Sequence, residues 1–363
     1  MKTNAPKITI VPGSAGYLES LFSFARLEYG RSSHQTLASF YNWQYERNPH
    51  CPDGLAGLLL AVDEANNVVG FINRTFMEWS INGEIMIIPT LSDLAVKTTY
   101  RTGGAGLRLI LKATSNCAHA FVNGSNANST PLFHSLGYQS LDGARWLKKI
   151  LNPIWGGVRY GWHKLQGGLP KPHQLFAQNR HPDTCNIRTY FAPPHDTLKQ
   201  LTEFLNGSEQ KIKQHWTIES VRWRFFDPSG PTHLLLIEDN AKGTIINAMV
   251  ISVGPTRGIN VCRLVAHRSQ SISDFHKMLE YSVKVAKVSG VDAFFAFSFD
   301  QLEVQAIGSA GFTDAKQSPG TFFYHKRKKD AESFRNVLVQ GAASDYGFEA
   351  IARIDVPPEK CTF

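Results

Sequence analysis

The chain carries one long-range copy of its own pattern, and that repeat limits its architecture more than any other feature. Trp43-Gln-Tyr-Glu-Arg-Asn-Pro49 is echoed by Trp223-Arg-Phe-Phe-Asp-Pro228, and each is followed by a short polar loop and an apolar strand, GLLLAV or HLLLIE. Further along, Ser135-Leu-Gly137-Tyr138 is echoed by Ser309-Ala-Gly311-Phe312. A solenoid repeats every 20 to 50 residues, whereas Trp43 and Trp223 stand 180 residues apart. One long period of that kind predicts two similar domains, and 363 residues with 42% hydrophobic content can fill two cores.

The periodicity gives both halves the same order of elements. In the first, a strand at 7–11 precedes a helical pattern through Leu18, Leu21, Phe22 and Phe24 and a second helical stretch at 35–45. Three strands follow, at 58–62, 68–76 and 84–96, separated by the turn-rich EANN and INGE. A glycine-rich loop then leads to a helix at 105–113, a strand at 118–123, a helix at 130–135 stopped by Gly137, and strands over 138–149. In the second half a strand at 186–190, helical stretches at 196–205 and 213–226, a strand at 258–265 and a helix at 274–288 repeat the layout. The expected boundaries are a first domain over 1–152, a linker over 153–182, a second domain over 183–328 and an extension over 329–363. The fold class is α/β (α+β), each domain a mixed, mostly antiparallel twisted sheet flanked by helices.

Several chemistries are disfavoured early. No run approaches the roughly 20 apolar residues of a membrane span, and the first residues lack a signal-peptide core, so a cytoplasmic protein is expected. Cys51, Cys117, Cys185, Cys262 and Cys361 lie far apart, with no CxxC pair and no histidine at metal-ligand spacing, which predicts neither a metal site nor a disulfide framework. The formal charge of +8 favours an anionic partner, but the cations are mostly dispersed, and nucleic acid is not expected. Residues 145–164 differ: Trp146, Trp155, Tyr160 and Trp162 alternate with Lys148, Lys149, Arg159 and Lys164. That composition suits contact with a membrane surface, which would make the protein peripheral at the inner membrane face, and it equally suits a strand and linker packed by its aromatics.

The chemistry concentrates in Leu91-Ser-Asp-Leu-Ala-Val96-Lys-Thr-Thr-Tyr-Arg101-Thr-Gly-Gly104-Ala-Gly106-Leu107, a strand, a glycine loop and a helix start. Unpaired amides and the helix dipole favour an anion there, and glycines let the main chain approach it. The spacing is neither GxxxxGK[ST] nor GxGxxG with an acidic residue about 20 positions on.

This segment resembles the acyl-CoA loop of the GNAT-type N-acetyltransferases, [Gln/Arg]-x-x-Gly-x-[Gly/Ala], which Arg101, Gly104 and Gly106 satisfy. Leu94-Ala95-Val96 resembles the strand on which that family pairs pantetheine, and the segment from Asn126 through Phe133 to Tyr138 resembles its Asn-x-x-Ala-x-x-Leu-Tyr-x-x-x-Gly-Phe motif. The resemblance covers about residues 7–149. It implies an acetyl-CoA or other acyl-CoA co-substrate, no metal, and cofactor contacts from Leu94, Ala95, Val96, Arg101, Thr102, Gly103, Gly104, Ala105, Gly106, Leu107, Asn126 and Phe133. Where the family often has a tyrosine to protonate the departing thiolate this chain has Phe133, which cannot donate a proton, so His134 or a water is the substitute. Asp93 is the candidate for binding or deprotonating the acceptor ammonium, with Glu84 a weaker one.

The second half has Ala266-His-Arg-Ser-Gln-Ser-Ile-Ser273 where a glycine loop should be, so it is expected to bind no CoA, like the degenerate halves of tandem GNAT proteins. The expected acceptor is a small amine. The WxxxxNP turn and duplicated layout resemble acyltransferases of surface-polysaccharide assembly, which points to a nucleotide- or lipid-linked amino sugar. The alternatives are a Fem-like aminoacyl or peptidyl transferase, which would not need the glycine loop, and a non-catalytic CoA-binding protein.

Overall fold

The computed structural model describes residues 7–30, 33–141, 145–166, 187–256, 258–315, 321–326, 337–338 and 340. Contacts divide them into two units. The first is formed by the chain up to residue 141 together with a distant strand, Thr321–Lys326.

The first unit begins with β1 (Thr9–Pro12), α1 (Leu18–Tyr29) and the short α2 (Ala38–Tyr41). Helix α2 runs on into a π-helical turn over Asn42–Glu46 that buries Trp43 completely. Next come β2 (Leu59–Val62), β3 (Val68–Ile81) and β4 (Glu84–Val96). Asn82 and Gly83 both have positive φ, 51° and 88°, the two-residue turn that Asn-Gly encodes and that matches strand twist, so Ile81 pairs with Glu84. After α3 (Thr98–Arg101) and α4 (Ala105–Ala113) the chain forms β5 (His119–Ser125), α5 (Thr130–Ser135) and β6 (Gln139–Leu141).

Strand order is β1-β2-β3-β4-β5, then Thr321–Lys326, then β6; β4 and β5 are parallel and the other neighbours antiparallel. Ala105, Leu109, Ile110 and Ala113 recur at helical spacing, and that face of α4 is buried against Leu59, Ile72, Leu91 and Val122.

The second unit opens with β7 (Arg145–Ile150) and α6 (Pro153–Gln166). It continues through β8 (Ile187–Tyr190), α7 (His195–Asn206), β9 (Ile212–Gln214) and α8 (Ile218–Val221), then a second π-helical turn, Arg222–Phe226, around the buried Trp223. The remainder is β10 (His233–Asp239), β11 (Ile245–Thr256), β12 (Ile259–Ser269), α9 (Ile272–Val288), β13 (Ala293–Ser298), α10 (Gln301–Ser309) and β14 (Thr313–Asp314). Its sheet order is β14-β7-β13-β12-β11-β10-β8. Phe275, Met278, Leu279 and Ala286 of α9 fill the core against Met249, Ile251, Cys262 and Leu264.

Several details differ from the sequence expectation, the first being strand β9 at the start of the helical stretch expected over 213–226. Residues 145–150 follow the first half in sequence, yet β7 pairs with β13 along its whole length in the second sheet. The matching place in the first sheet, between β5 and β6, is taken by Thr321–Lys326. Residues 153–166, read as the start of a linker, are helical because Arg159 and Gly156 lock them onto Asp292. Both repeat tryptophans are core residues. The rest of the expected linker, and the extension apart from 337–338 and 340, lie outside the described residues, as do Cys185 and Cys361.

A fragment of residues 1–150 lacks the strand that separates β5 from β6. It should therefore expose an unpaired edge at β5 and fail to melt cooperatively, whereas the whole chain does. Thermal circular dichroism of both checks this; a fragment melting within a few degrees of the whole chain would show the borrowed strand to be dispensable.

Candidate functional site

Strand β4 leaves both neighbours as it approaches the glycine loop. Among the described residues its pairing with β5 is confined to Thr90 with Phe121 and Leu91 with Val122, so the main chain beyond Leu91 has a free edge on that side. On the β3 side, Phe71 pairs with Ala95 and Asn73 with Ser92, so Asp93 and Leu94 together face the single residue Ile72. This is a β-bulge, and its first residue, Asp93, sits at φ 52°, a conformation costly to most residues but tolerated by Asp and Asn.

The bulge decides where the carboxylate points. Leu91 faces the α4 core, so strict alternation would send Asp93 there as well. The extra residue turns it to the opposite face, beside Asn73. Asp93 Oδ2 accepts from Asn73 Nδ2 at 2.8 Å and Oδ1 from Gln35 Nε2 at 2.8 Å, while His34 Nε2 lies 3.7 Å from Oδ2. The Tyr45 hydroxyl, carried in by the π-helical turn, donates to Asn73 Oδ1 at 3.1 Å and so fixes the amide that serves Asp93. Burial alone would raise the pKa of this enclosed carboxyl. The hydrogen bond and charge of His34, then the Asn73 and Gln35 amides, outweigh it and hold Asp93 below the ordinary carboxylate value. Asp93 thus stays ionised at neutral pH, and its stabilising contribution is present above the unfolded value near 4 and lost as pH falls through the lower folded one. The same face holds Thr90, Ser92 and Gln44, whose Oγ1, Oγ and Oε1 atoms are buried with no hydrogen-bond partner among the described residues.

At the other end of the free edge, Arg101 donates from Nε to the Val96 carbonyl at 2.8 Å, with Nη2 3.6 Å from Glu28, tying the loop to the strand. Gly104 caps α4 at φ 74°. Its own amide is bonded to the Arg101 carbonyl, and its carbonyl takes the Arg108 amide, so the amides of Ala105, Gly106 and Leu107 lie in the first turn with no acceptor in the helix. A β-carbon on Gly104 would meet nothing within 4 Å, and one on Gly106 would make only ordinary contacts with Leu132 and Val96. Neither glycine is needed to avoid a collision within the protein at its β-position, which leaves open approach from outside. Thr102 and Gly103 form the turn between α3 and α4.

The structure does not gather the other sequence-predicted residues around Asp93. Phe133 is a core residue, edge-on to Tyr138 at 5.1 Å and packed with Val96 and Ala105. His134 is exposed on the other side of α5. Asn126 closes the turn before α5, its Oδ1 accepting the amides of Asn128 and Ser129. Glu84 is exposed at the hairpin end of β4, away from the bulge. Burial pushes the Cys51 thiol up to about 11 and also raises Cys262, leaving both as packing groups. Sequence reasoning missed His34, Gln35, Asn73 and Tyr45. No local signal marks them, since they meet Asp93 only through sheet pairing and helix packing.

The second unit repeats the splay without the loop. Strand β12 pairs with β13 only from Val261 to Arg263 and runs on to Ser269, past the expected strand end. Ser271 caps α9 with its hydroxyl, and the edge of β12 at His267 is taken by the side chain of Gln340, which donates to the His267 carbonyl at 2.6 Å and accepts its amide at 3.3 Å. A cavity of about 520 Å³ lies there, lined by His267, Arg268, Ser271 and Glu303, with no glycine approach to the helix start.

No protein-family model matches the chain, and no curated protein matches it in sequence. Solved structures do. Saccharomyces cerevisiae N-myristoyltransferase with bound myristoyl-CoA is similar over 94% of this chain and 84% of its own, with a TM-score of 0.59 at 15% identity. A GCN5-related N-acetyltransferase from Anabaena variabilis matches over 88% and 72%, with a TM-score of 0.52 at 11% identity. Another from Kribbella flavida matches over 89% and 72%, with a TM-score of 0.52 at 12% identity. The chain therefore has the GNAT-type fold in two domains, as the sequence resemblance implied.

The two glycines should separate folding from binding. Gly106→Ala, inside a helix with room for the methyl group, should leave stability unchanged or raise it by up to about 1 kcal/mol. Gly104→Ala must hold φ 74° and should cost about 1 to 2 kcal/mol. Both should weaken CoA binding, because the added carbon stands where an anion approaches. Urea melts paired with calorimetric CoA titrations test this; full CoA affinity in both variants would remove the loop from the site.

Proposed function

We propose that this protein is an acyl-CoA-dependent N-acyltransferase whose acceptor is a small amine. The observation that carries the reading is the edge of β4 beyond Leu91, unpaired with β5 among the described residues, which leads from the bulge to the open helix start of α4. An extended chain with amides, such as pantetheine, can pair with the edge along Leu94, Ala95 and Val96, while its pyrophosphate meets the Ala105, Gly106 and Leu107 amides. The N-myristoyltransferase of the same fold has myristoyl-CoA bound, which supports an acyl-CoA donor. Acetyl-CoA is the first donor to test.

In this reading the thioester carbonyl comes to rest near the bulge, where main-chain amides released from strand pairing can hold the developing oxyanion. The amine nitrogen attacks the carbonyl carbon, the carbon–sulfur bond breaks, and CoA leaves as thiolate. Before attack the ammonium must lose a proton, and in this reading the neutral imidazole of His34, 3.7 Å from Asp93 Oδ2, takes it. Asp93 is enclosed by Gln35 and Asn73, with its oxygens already accepting hydrogen bonds. It acts through His34, orienting the imidazole and stabilising its cation, as a positioning residue. The thiolate needs no acid to depart, so the phenyl ring at Phe133 is no obstacle. An amino sugar of surface-polysaccharide assembly is the first acceptor class to screen, on the resemblance of the WxxxxNP turn and the duplicated layout to such acyltransferases.

Calorimetry should find one CoA per chain, with Ser269→Val and Ser271→Val leaving its affinity unchanged; two sites would refute the asymmetry of the halves. Once a mass-spectrometric screen of amino sugars and simple amines with acetyl-CoA yields an acceptor, Asp93→Asn and His34→Gln should each lower kcat/KM by about a hundredfold at unchanged CoA affinity. His34→Gln should also flatten the acid limb of the rate profile. Wild-type rates in both variants would exclude this pair from proton transfer.

A further inference from the structure

Helix α6 presents a large apolar face that is exposed among the described residues. Ile154, Trp155, Val158, Trp162 and Leu165 are each more than half exposed, the two tryptophans at 61%. At 3.6 residues per turn these five fall within an arc of about 100°. Their exposure is not the fraying of a loose segment. At the flank of this arc Arg159 donates from Nη1 to both oxygens of the buried Asp292, at 2.8 and 2.7 Å, and on the far side a β-carbon on Gly156 would touch Asp292 at 3.2 Å. Asp292 also accepts the Leu151 amide on its carbonyl and the Asn260 amide on its carboxylate. The helix is locked in place with its aromatic side outward.

Charge identifies the occupant. Over the described residues 145–166 the sequence has five Lys or Arg residues and no Asp or Glu, within a chain whose formal net charge is +8. A second copy docking on this face by twofold symmetry would bring two such segments together and repel. An anionic bilayer neutralises them instead. Tryptophan favours the boundary between headgroups and acyl chains, and 14 residues of helix, about 21 Å, suit a helix lying in that plane and fall short of crossing a core of about 30 Å. No described helix is long and apolar enough to cross a membrane.

We infer that α6 docks this protein on anionic phospholipid bilayers, with Trp155, Val158 and Trp162 entering the interface and the surrounding cations facing the headgroups. The inference stands apart from the acyl-transfer reading and survives its failure. Vesicle co-sedimentation of the full chain tests it, with phosphatidylcholine alone and with about 30% phosphatidylglycerol added. Binding should require the anionic lipid, weaken with salt and shift tryptophan emission to the blue. The double variant Trp155→Ser, Trp162→Ser, and separately Val158→Asp, should lower partitioning by about tenfold or more with an unchanged melting temperature, since all three side chains face outward. Failure of the wild type to bind anionic vesicles would overturn the proposal, as would full binding by these variants. So would a wild-type dimer in sedimentation equilibrium that the double variant converts to monomer.

Discussion

One extra residue in β4 organises the first unit. The bulge opposite Ile72 does two things at once: it turns the Asp93 carboxylate onto the Asn73 face, and it lies where β4 has parted from β5. Without it Asp93 would enter the apolar core beneath α4, where an ionised carboxylate has no partners and burial is costly. The left-handed backbone at Asp93 costs of order 1 kcal/mol or more. Two amide hydrogen bonds and the nearby imidazole offset it, so the strained conformation and the buried charge stabilise each other.

The second unit shows what the same scaffold looks like without that commitment. It has the same sheet order, the same π-helical turn around a buried tryptophan and the same parting of two parallel strands. Yet Phe225 stands where the repeat has Tyr45, so no hydroxyl reaches across to a partner on the sheet. Its helix start is capped by a serine hydroxyl, and the strand edge is taken by a side-chain amide from the chain itself. Two of the features that leave the first unit open to a ligand, a free strand edge and a helix start with no side-chain cap, are satisfied internally in the second.

How much of this was legible depended on whether the signal was local. The Asn82-Gly83 turn, the α4 helix and the glycine loop were readable because each is set by residues within a few positions of one another. The partners of Asp93 were not, since His34 and Gln35 lie about 60 positions upstream and Asn73 reaches it only in a register fixed by the bulge. The exchange of β7 and Thr321–Lys326 between the sheets was hidden for the same reason. Alternation and β-propensity tell that a segment is a strand, but backbone hydrogen bonds are alike everywhere and do not name the neighbour. Phe133 is the instructive case at the site. The motif gives its place in sequence, and only packing reveals that the phenyl ring belongs to the core.

Helix α6 makes the distinction between propensity and packing concrete. Gly156, Gly157 and Gly161 each cost a helix interior about 1 kcal/mol relative to alanine, so the segment would not hold a helix alone and read as linker for good reason. What forms it is Asp292. A carboxylate buried at 2% exposure must be neutralised, and Arg159 reaches it only from a helix whose small residues let the backbone lie close. The glycines that weaken the helix are thus what allow it to be locked. Because the lock uses one side of the helix and the tryptophans occupy another, folding does not bury the aromatic face; it holds the face rigid and outward. An apolar surface held in that way cannot collapse back onto the chain, which is the property an interfacial contact requires and a flexible linker lacks.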